Sequence, residues 1–473
     1  MKPIRILVLI LCACFVSVAW SQQPGDKCVN DWSEFQRTNM RRWNPCEKGL
    51  NVRNVGKLSS KWSYSTFGRV KSSPAVANGV VYVGSDDANV YALNAKTGAK
   101  LWRYTASGGV QSSPAVANGV VYVGSDAGNV YALEASTGAV LWNYFTGLYV
   151  HSSPAVANGV VYVGSSDNNV YALNASTGAK LWSYTTGSWI DSSPAVANGV
   201  VYVGSWDHNV YALNAKTGAK LWSYETGWLI DSSPAVANGV VYVGSLDNNV
   251  YALNAKTGAL LWSYTTGLYV YSSPAVANGV VYVGSYDDNV YALNAKTGVL
   301  LWSYDTLGGV ASSPSVANGV VYIGSPDNVY ALNAKTGAPL WAYTTSGYVE
   351  SSPAVADGVV YVGSDDGNVY AFGLKEGSEL TVIVEAASQP PRPHRRSQLV
   401  GRGNSEASTL TVKTRGLRSK SPTEGFCLKI AIPSDSGERR ERVVKPTLQK
   451  SVRKSVKIRG LFFDVLTWTN IAV

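Results

Sequence analysis

The stretch Ser72–Tyr104, SSPAVANGVVYVGSDDANVYALNAKTGAKLWRY, is repeated almost unchanged from Ser112 onward and decides the fold. The triplet Ser-Ser-Pro opens eight such copies, at Ser72, Ser112, Ser152, Ser192, Ser232, Ser272, Ser312 and Ser351. The period is 40 residues in six intervals and 39 residues in one. A fixed period of this length indicates a stacked or circular repeat architecture.

Each copy contains four short runs of β-forming residues. In the first copy these runs are SSPAVA, VVYVGS, NVYALNA and AKLWRY, which are rich in Val, Tyr, Leu and Trp and bounded by turn residues. Asn78-Gly79 lies between the first two runs and suits a tight hairpin, because Asn and Gly tolerate positive φ at both central positions. Asn and Gly in NAKTG favour a second turn. Four antiparallel strands per repeat are typical of one propeller blade.

The two ends of the array complement each other. The last copy stops at Asn368–Leu374, where a TGxxLW strand should follow, and the missing strand precedes the first copy as LSSKWSY. Eight tryptophans then match the eight copies: Trp62, Trp102, Trp142, Trp182, Trp222, Trp262, Trp302 and Trp341. We therefore predict an all-β fold over residues 57–374, an eight-bladed β-propeller of four-stranded antiparallel blades. Pairing of the N-terminal and C-terminal strands would close it and remove exposed sheet edges.

The segment YALNAKTGAKLW, with an Ala, a turn, Thr-Gly and Leu-Trp, resembles the tryptophan-docking repeat of the quinoprotein (PQQ-type) β-propeller superfamily. The resemblance covers about two thirds of the chain and implies that the eight tryptophans dock one blade onto the next. That superfamily includes PQQ-dependent alcohol dehydrogenases and non-enzymatic relatives such as the propeller lipoprotein of the outer-membrane assembly machinery. The motif builds blades and does not build an active site.

The N-terminus reads as an export signal followed by a short cap. Residues 1–21 combine Lys2 and Arg5 with an apolar run and a small-residue cleavage site, so we expect a signal peptide cut after Ser21 and no transmembrane span afterwards. A lipoprotein anchor at Cys14 is an alternative that the sequence leaves open. We predict residues 22–56 to be a cap over a blade junction, with Cys28 and Cys46 paired in a disulfide. The expected location is periplasmic or extracellular.

The positive charge of the chain is confined to its C-terminal part. Residues 375–473 contain 19 Lys or Arg and 9 Asp or Glu, whereas residues 1–374 contain 21 and 22. The propeller is therefore almost neutral, and we expect no nucleic acid to bind it. Residues 375–473 carry no trace of the repeat, and we predict a basic, disordered tail.

Comparison of the copies with one another locates a variable surface. The copies that begin at His151 and Asp191 differ at seven positions, numbered 151, 166, 168, 176, 185, 188 and 189 in the first of them. In an up-and-down blade, the loops between blades and the loops joining strands two and three share one face of the disc. Five of the seven differences fall on that face, so one surface varies while the turns that define the backbone stay the same.

The variable face is rich in aromatic and acidic residues. We predict a binding face for a peptide, a glycan or a protein partner of the cell envelope, because Trp and Tyr dominate interface hot spots. Its candidate residues are Tyr149, His151, Trp189, Asp191, Trp206, His208, Trp228, Asp231, Tyr269, Tyr271, Tyr286, Tyr348 and Glu350. Leu246 is placed with them. The alternative is that these side chains pack on one another across neighbouring blades.

The sequence favours a non-catalytic role for a monomeric protein. No metal ligand is assigned, because Asx turns explain the recurring aspartates of GSxDxN, which are Asp87, Asp167, Asp207, Asp247 and Asp287. No catalytic residue is assigned either. A PQQ-dependent dehydrogenase stays open as an alternative, and so does a carbohydrate-binding surface protein. For the dehydrogenase, the resemblance implies PQQ with Ca²⁺, two adjacent bridged cysteines and an Asp base, yet no two cysteines here are adjacent and no repeat carries an inserted loop.

Overall fold

The structure is a computed structural model that describes residues 31–35 and 42–375, together with the backbone of residues 452–458 and 461–467. Two compact units divide the chain, residues 1–376 and residues 377–473. The second unit contains the antiparallel strands Val452–Ile458 and Leu461–Thr467. The predicted signal peptide, Cys14, Cys28 and most of the predicted tail lie outside the described residues.

The first unit contains eight antiparallel sheets, which we number as blades 1 to 8 from the copy that follows Ser72. The innermost strands are Ala75–Ala77, Ala115–Ala117, Ala155–Ala157, Ala195–Ala197, Ala235–Ala237, Ala275–Ala277, Ser315–Ala317 and Ala354–Ala356. The second strands are Val80–Gly84, Val120–Gly124, Val160–Gly164, Val200–Gly204, Val240–Gly244, Val280–Gly284, Val320–Gly324 and Val359–Gly363.

The outer half of each blade contains two longer strands. The third strands are Asn89–Asn94, Asn129–Glu134, Asn169–Asn174, Asn209–Asn214, Asn249–Asn254, Asn289–Asn294, Asn328–Asn333 and Asn368–Leu374. The outermost strands of blades 1 to 7 are Lys100–Thr105, Val140–Phe145, Lys180–Thr185, Lys220–Glu225, Leu260–Thr265, Leu300–Asp305 and Pro339–Thr344. The prediction of an eight-bladed propeller is confirmed.

The outermost strand of blade 8 comes from the N-terminal side of the ring. Strand Leu58–Ser65 pairs antiparallel with Asn368–Leu374, with Ser65 opposite Asn368. The indole of Trp62 donates a hydrogen bond of 3.0 Å to the carbonyl of Ala95 in blade 1, and Trp341 donates one of 3.1 Å to Leu58. The other six indoles make the same link to the following blade. The two chain ends therefore close the ring, as predicted.

The hairpin turns have the conformation that their sequence predicts. Asn78 and Gly79 both have positive φ, 51° and 76°, as a type I′ turn requires. At the second turn, Gly98 has a φ of 71°, and a Cβ there would lie 2.7 Å from the ring of Trp62. Glycine in TG therefore serves two needs, the backbone conformation and the close approach of the docking indole.

Two rings of serine side chains surround the axis. The backbone N–H of Ser73 donates to the hydroxyl of Ser113 at 2.9 Å, and the pattern continues through all blades until Ser352 donates to Ser73. The first serine of each pair is fully buried and accepts a hydrogen bond from a second-strand glycine, as Ser72 does from Gly84. The Ser-Ser pair of each copy thus supplies the polar contacts between blades at the centre of the disc.

The described residues before the ring contact the innermost strands of five blades. Trp32 exchanges two backbone hydrogen bonds with Val76 of blade 1, and Ser33 accepts one from Val116 of blade 2. Glu34 lies 3.4 Å from the N–H of Val156 in blade 3. Strand Trp43–Asn44 pairs parallel with the innermost strand of blade 7. The segment therefore adds to strand edges facing the axis, which differs from the predicted cap over one blade junction.

The same segment is held by buried polar side chains. Arg42 is 1% exposed and donates to the carbonyl of Pro314 at 2.8 Å and to the hydroxyl of Ser315 at 2.9 Å. Asn44 donates to the carbonyl of Val355 in blade 8. Cys46 is disulfide-bonded, and its pairing with Cys28 stays a prediction. A 3-10 helix, Val55–Lys57, then leads into the closing strand.

Among the described residues, no helix is long and apolar enough to cross a membrane.

Candidate functional site

The variable loops meet on one side of the disc, which we call the mouth face. It consists of the loops between blades and the loops joining second and third strands, and the hairpin turns form the opposite, turn face. Backbone hydrogen bonds join the two kinds of loop: the N–H of Trp206 donates to the carbonyl of Trp189 at 2.9 Å. Each residue before Ser-Ser-Pro lies beside the axial serine rings, so these residues line the mouth of the central channel.

Aspartates that recur in the repeat stabilise the loops of this face. The carboxylate of Asp207 accepts the backbone N–H of Asn209 at 3.0 Å, the hydroxyl of Tyr211 at 2.7 Å and the N–H of Gly187 at 2.5 Å. The equivalent bonds recur at Asp87, where they outweigh burial and lower the pKa of the carboxyl. The hydrogen bonds of these carboxylates therefore form Asx turns, and they also link each blade to the loop that precedes it.

Six of the predicted aromatic residues form two groups of contacting rings over blades 4 to 6. The ring centroids of Trp189 and Trp206 are 5.0 Å apart, and Trp206 donates its indole N–H to Asp231. Further along the face, Trp228 packs edge-on against Tyr269 at 5.6 Å. We call this set the aromatic arc: Trp189, Trp206, Trp228, Tyr269, Tyr271 and Tyr286.

The arc is packed internally and exposed externally. Tyr271 contacts Tyr269 at 6.3 Å and Tyr286 at 5.0 Å, which fixes the rings against one another. Nevertheless Trp189, Trp228 and Tyr286 remain 41%, 43% and 41% exposed. The rings therefore pack on one another across neighbouring blades and also keep surfaces exposed to water that a partner could contact.

His151 lies between two carboxylates at the mouth. Its Nε2 is 3.4 Å from Asp126, and its Nδ1 is 3.5 Å from Asp191. Burial alone would lower the pKa of His151, but these two carboxylates outweigh it and raise the pKa to about 10. The ring also stacks on Tyr149, with centroids 5.6 Å apart. His151 thus bridges the loops of three blades through the carboxylates of Asp126 and Asp191.

A cleft opens where blades 6, 7 and 8 meet at the mouth. Its volume is about 220 Å³, and Tyr286, Tyr348, Glu350, Ala311 and Pro326 contribute to its wall. Tyr348 is 57% exposed, and Glu350 forms an ion pair of 3.0 Å with Lys71. The cleft brings together three of the residues singled out in the sequence: Tyr286 from a loop of blade 6, and Tyr348 and Glu350 from the loop between blades 7 and 8.

Leu246 and His208 lie in mouth-face loops but outside the aromatic arc. Leu246 is only 5% exposed, so its apolar side chain is buried within the loop of blade 5 and does not contribute to the exposed surface. The carbonyl of His208 accepts the N–H of Thr226 at the end of the outermost strand, which sets His208 farther out than Trp206.

Three mouth carboxylates escaped the sequence interpretation: Asp86, Asp126 and Asp365. They occupy the position after Gly-Ser in blades 1, 2 and 8, where Trp206 and Tyr286 stand in blades 4 and 6. Burial raises the pKa of Asp86 and of Asp365, partly offset by Lys71 and Arg69. Comparison of all eight copies at that single position, rather than of two copies at every position, would have found them.

The residues of the mouth do not fit PQQ with Ca²⁺. Glu350 is paired with Lys71, Asp191 with His151, and Asp231 with the Trp206 indole, so these carboxylates already have partners. In the part of the chain that the structure describes, no group of three His, Cys, Asp or Glu is arranged to hold a metal ion. The cleft is also smaller than the roughly 300–1,000 Å³ that encloses a cofactor-sized ligand.

The fold and its docking tryptophans are those of a PQQ-type β-propeller. The family model described as outer membrane protein assembly factor BamB matches residues 36–149 and 146–229. A second family model, the β-propeller of the β-alanine-activating enzyme, matches residues 188–387. Each model covers less than half of the chain.

Curated relatives match over short segments. A quinoprotein alcohol dehydrogenase of Pseudomonas putida is 46% identical over 69 residues, which are 14% of this chain and 11% of the relative. A quinoprotein ethanol dehydrogenase of Pseudomonas aeruginosa is 38% identical over 91 residues, 18% of this chain and 14% of the relative. The matched segments thus span about an eighth of the length of these relatives.

Solved structures share the fold over a larger part of the chain. BamB from Moraxella catarrhalis has a TM-score of 0.60 and 22% identity, covering 67% of this chain and 99% of that one. A europium-containing methanol dehydrogenase has a TM-score of 0.63 and 17% identity, covering 73% and 98%. At these identities, the likeness establishes the propeller architecture and nothing about activity.

Proposed function

We propose that this chain is an exported, non-catalytic propeller that binds a protein or another ligand in the cell envelope through its mouth face. The observation that carries the proposal is the aromatic arc, since exposed Trp and Tyr are concentrated on the one face where the copies differ. Such rings, rigid and partly exposed, are typical of interface hot spots. The partial match to an outer membrane assembly factor supports an envelope location.

The arc is suited to binding because its cost of ordering is low. The contacts of Trp189 with Trp206 and of Trp228 with Tyr269 hold these side chains before any partner arrives. Binding then loses little rotamer entropy, so more of the interaction energy appears as affinity. The hydrogen-bonded serine rings and the closed propeller support the loops that carry these side chains.

Capture of partners from envelope extracts tests this proposal. We expect the native chain to retain partners that are reduced at least about tenfold when Trp189, Trp206 and Trp228 are all changed to Ala, a loss typical of removed hot spots. The matched control changes Leu181, Leu221 and Leu261 to Ala, three leucines about half exposed on the outer strands. Equal retention by the two triple variants, with unaltered melting temperatures, would contradict a role for the mouth face.

The alternative of a PQQ-dependent dehydrogenase is favoured by the segments shared with the quinoprotein dehydrogenases. Those segments are short, and the mouth residues do not fit the cofactor. Addition of PQQ and Ca²⁺ followed by dye-linked alcohol oxidation separates the two functions. Turnover with a shifted quinone absorbance would replace the scaffold proposal by the enzymatic one, and a glycan array examines the carbohydrate alternative.

A further inference from the structure

The two faces of the disc differ in charge although the ring as a whole is almost neutral. The mouth-face loops of blades 4 to 6 contain six carboxylates and no Lys or Arg: Asp191, Asp207, Asp231, Asp247, Asp287 and Asp288. Glu225 and Asp305 end the outermost strands of blades 4 and 6 at the same face. The turn face has exposed lysines in its NAKTG turns: Lys96, Lys216, Lys256, Lys296 and Lys335. Blades 4 to 6 also hold the aromatic arc, and we call their part of the mouth face the acidic half.

Acidic and aromatic groups are interleaved within this half. Asp231 accepts the indole N–H of Trp206 and acts electrostatically on Tyr271. Burial of the Asp231 carboxyl raises its pKa to about 6. A cation placed beside it would be attracted by the carboxylate and by the electron-rich faces of the neighbouring rings.

We propose that the acidic aromatic half of the mouth face binds an extended peptide segment that carries Arg or Lys side chains, an inference that rests on the proposed binding function. Charge complementarity selects a cationic ligand, because these loops contain six carboxylates and no Lys or Arg. The exposed faces of Trp189 and Trp228 offer stacking surfaces, and a guanidinium stacks on an indole better than an ammonium does. The arc covers three blades, so several residues of an extended chain can contact it in turn.

Fluorescence anisotropy tests the inference with a fluorescein-labelled peptide in which arginine alternates with serine and glycine. Two control peptides replace every arginine by citrulline, which is neutral and nearly isosteric, or by glutamate. We expect binding of the arginine peptide alone, weakened by added salt because the charges lie at the surface. Changing Trp228 to Ala is expected to weaken binding about tenfold, the loss of one desolvated cation–π contact.

Matched variants of the protein locate the site. Phe67 is 88% exposed on the same face but lies in the loop that carries Arg69 and Lys71, so Phe67→Ala should leave binding unchanged. Glu225→Gln, at the exposed end of the outermost strand of blade 4, should weaken binding without affecting folding. Equal binding of the citrulline peptide, insensitivity to Trp228→Ala, or preferential binding of a β-glucan oligosaccharide would each overturn the inference.

The outcome is separable from that of the proposed function. If envelope partners depend on Trp189, Trp206 and Trp228 while the arginine peptide does not bind, the mouth face is a binding face but its ligand is not a basic peptide. If the arginine peptide binds and its binding survives the triple change to Ala, the peptide site is not the arc, and the inference fails whatever the envelope partners do.

Discussion

Replacement of Trp62 by Ala is expected to lower the free energy of unfolding by about 3–5 kcal/mol, the usual cost of removing a large buried aromatic side chain. Trp62 is 9% exposed, lies 5.9 Å from the ring of Tyr361 and donates its indole N–H to Ala95 across the junction of blades 8 and 1. The loss therefore combines a cavity, the lost indole hydrogen bond and a weakened closing strand. Chemical denaturation followed by tryptophan fluorescence measures it.

Trp182 provides the matched control for this change. It is also 9% exposed and donates an equivalent bond of 3.0 Å to Ala215, but it lies between two blades that are consecutive in the chain. In a closed ring, the two substitutions should cost about the same. A Trp62→Ala variant as stable as the native chain, beside a strongly destabilised Trp182→Ala variant, would mean that the N-terminal strand is not part of the last blade.

The Glu34→Gln variant is expected to be more stable than the native chain at pH 8 by about 2–3 kcal/mol and equally stable near pH 4.5. Glu34 is 6% exposed, and burial raises the pKa of its carboxyl from 4.5 to about 7 against the opposing effect of the Val156 N–H. The folded state thus holds this proton more tightly than the unfolded state does. Its contribution to stability is complete below about pH 4.5 and is lost as the pH rises through about 7.

Denaturation curves at the two pH values measure this effect, and Ser33→Ala serves as the control. Ser33 is the neighbouring residue and carries no titratable group, so its replacement should change stability equally at both pH values. A Glu34→Gln variant that gains nothing at pH 8 would show that Glu34 is not buried against the innermost strands.

The blades were predictable because each one is specified locally and repeated eight times. Val and Tyr in VVYVG, the Asn-Gly turn and the Leu-Trp strand each favour a β-blade. Because the pattern recurs in every copy, a strand that is ambiguous in one copy can be assigned from the others. Closure was predictable for a different reason. The last copy lacks its outermost strand and the chain has an additional strand around Trp62 before the first copy, so pairing of these two ends is the simplest arrangement. The Asx turns were predictable because an Asp recurs in a short loop of the repeat.

The contacts near the axis were not predictable in the same way. The serine rings depend on distances between side chains 40 residues apart, which the periodicity alone does not specify. Nothing repeats in the segment before the ring, so its route across the innermost strands depends on Arg42, Asn44 and Glu34 finding partners in distant blades. Likewise, the pairing of His151 with Asp126 and Asp191 joins three loops whose sequences vary independently.

Site-specific crosslinking tests ring closure most directly. Ser65 and Asn368 lie opposite each other in the closing pair of strands, a separation that suits a disulfide. In a Cys427→Ser background, cysteines at these two positions should oxidise to an intramolecular disulfide that mass spectrometry identifies, whereas cysteines at Ser65 and Asn328, the matching position in blade 7, should not. Formation of the second crosslink instead of the first, or of neither, would contradict a ring closed between blades 8 and 1.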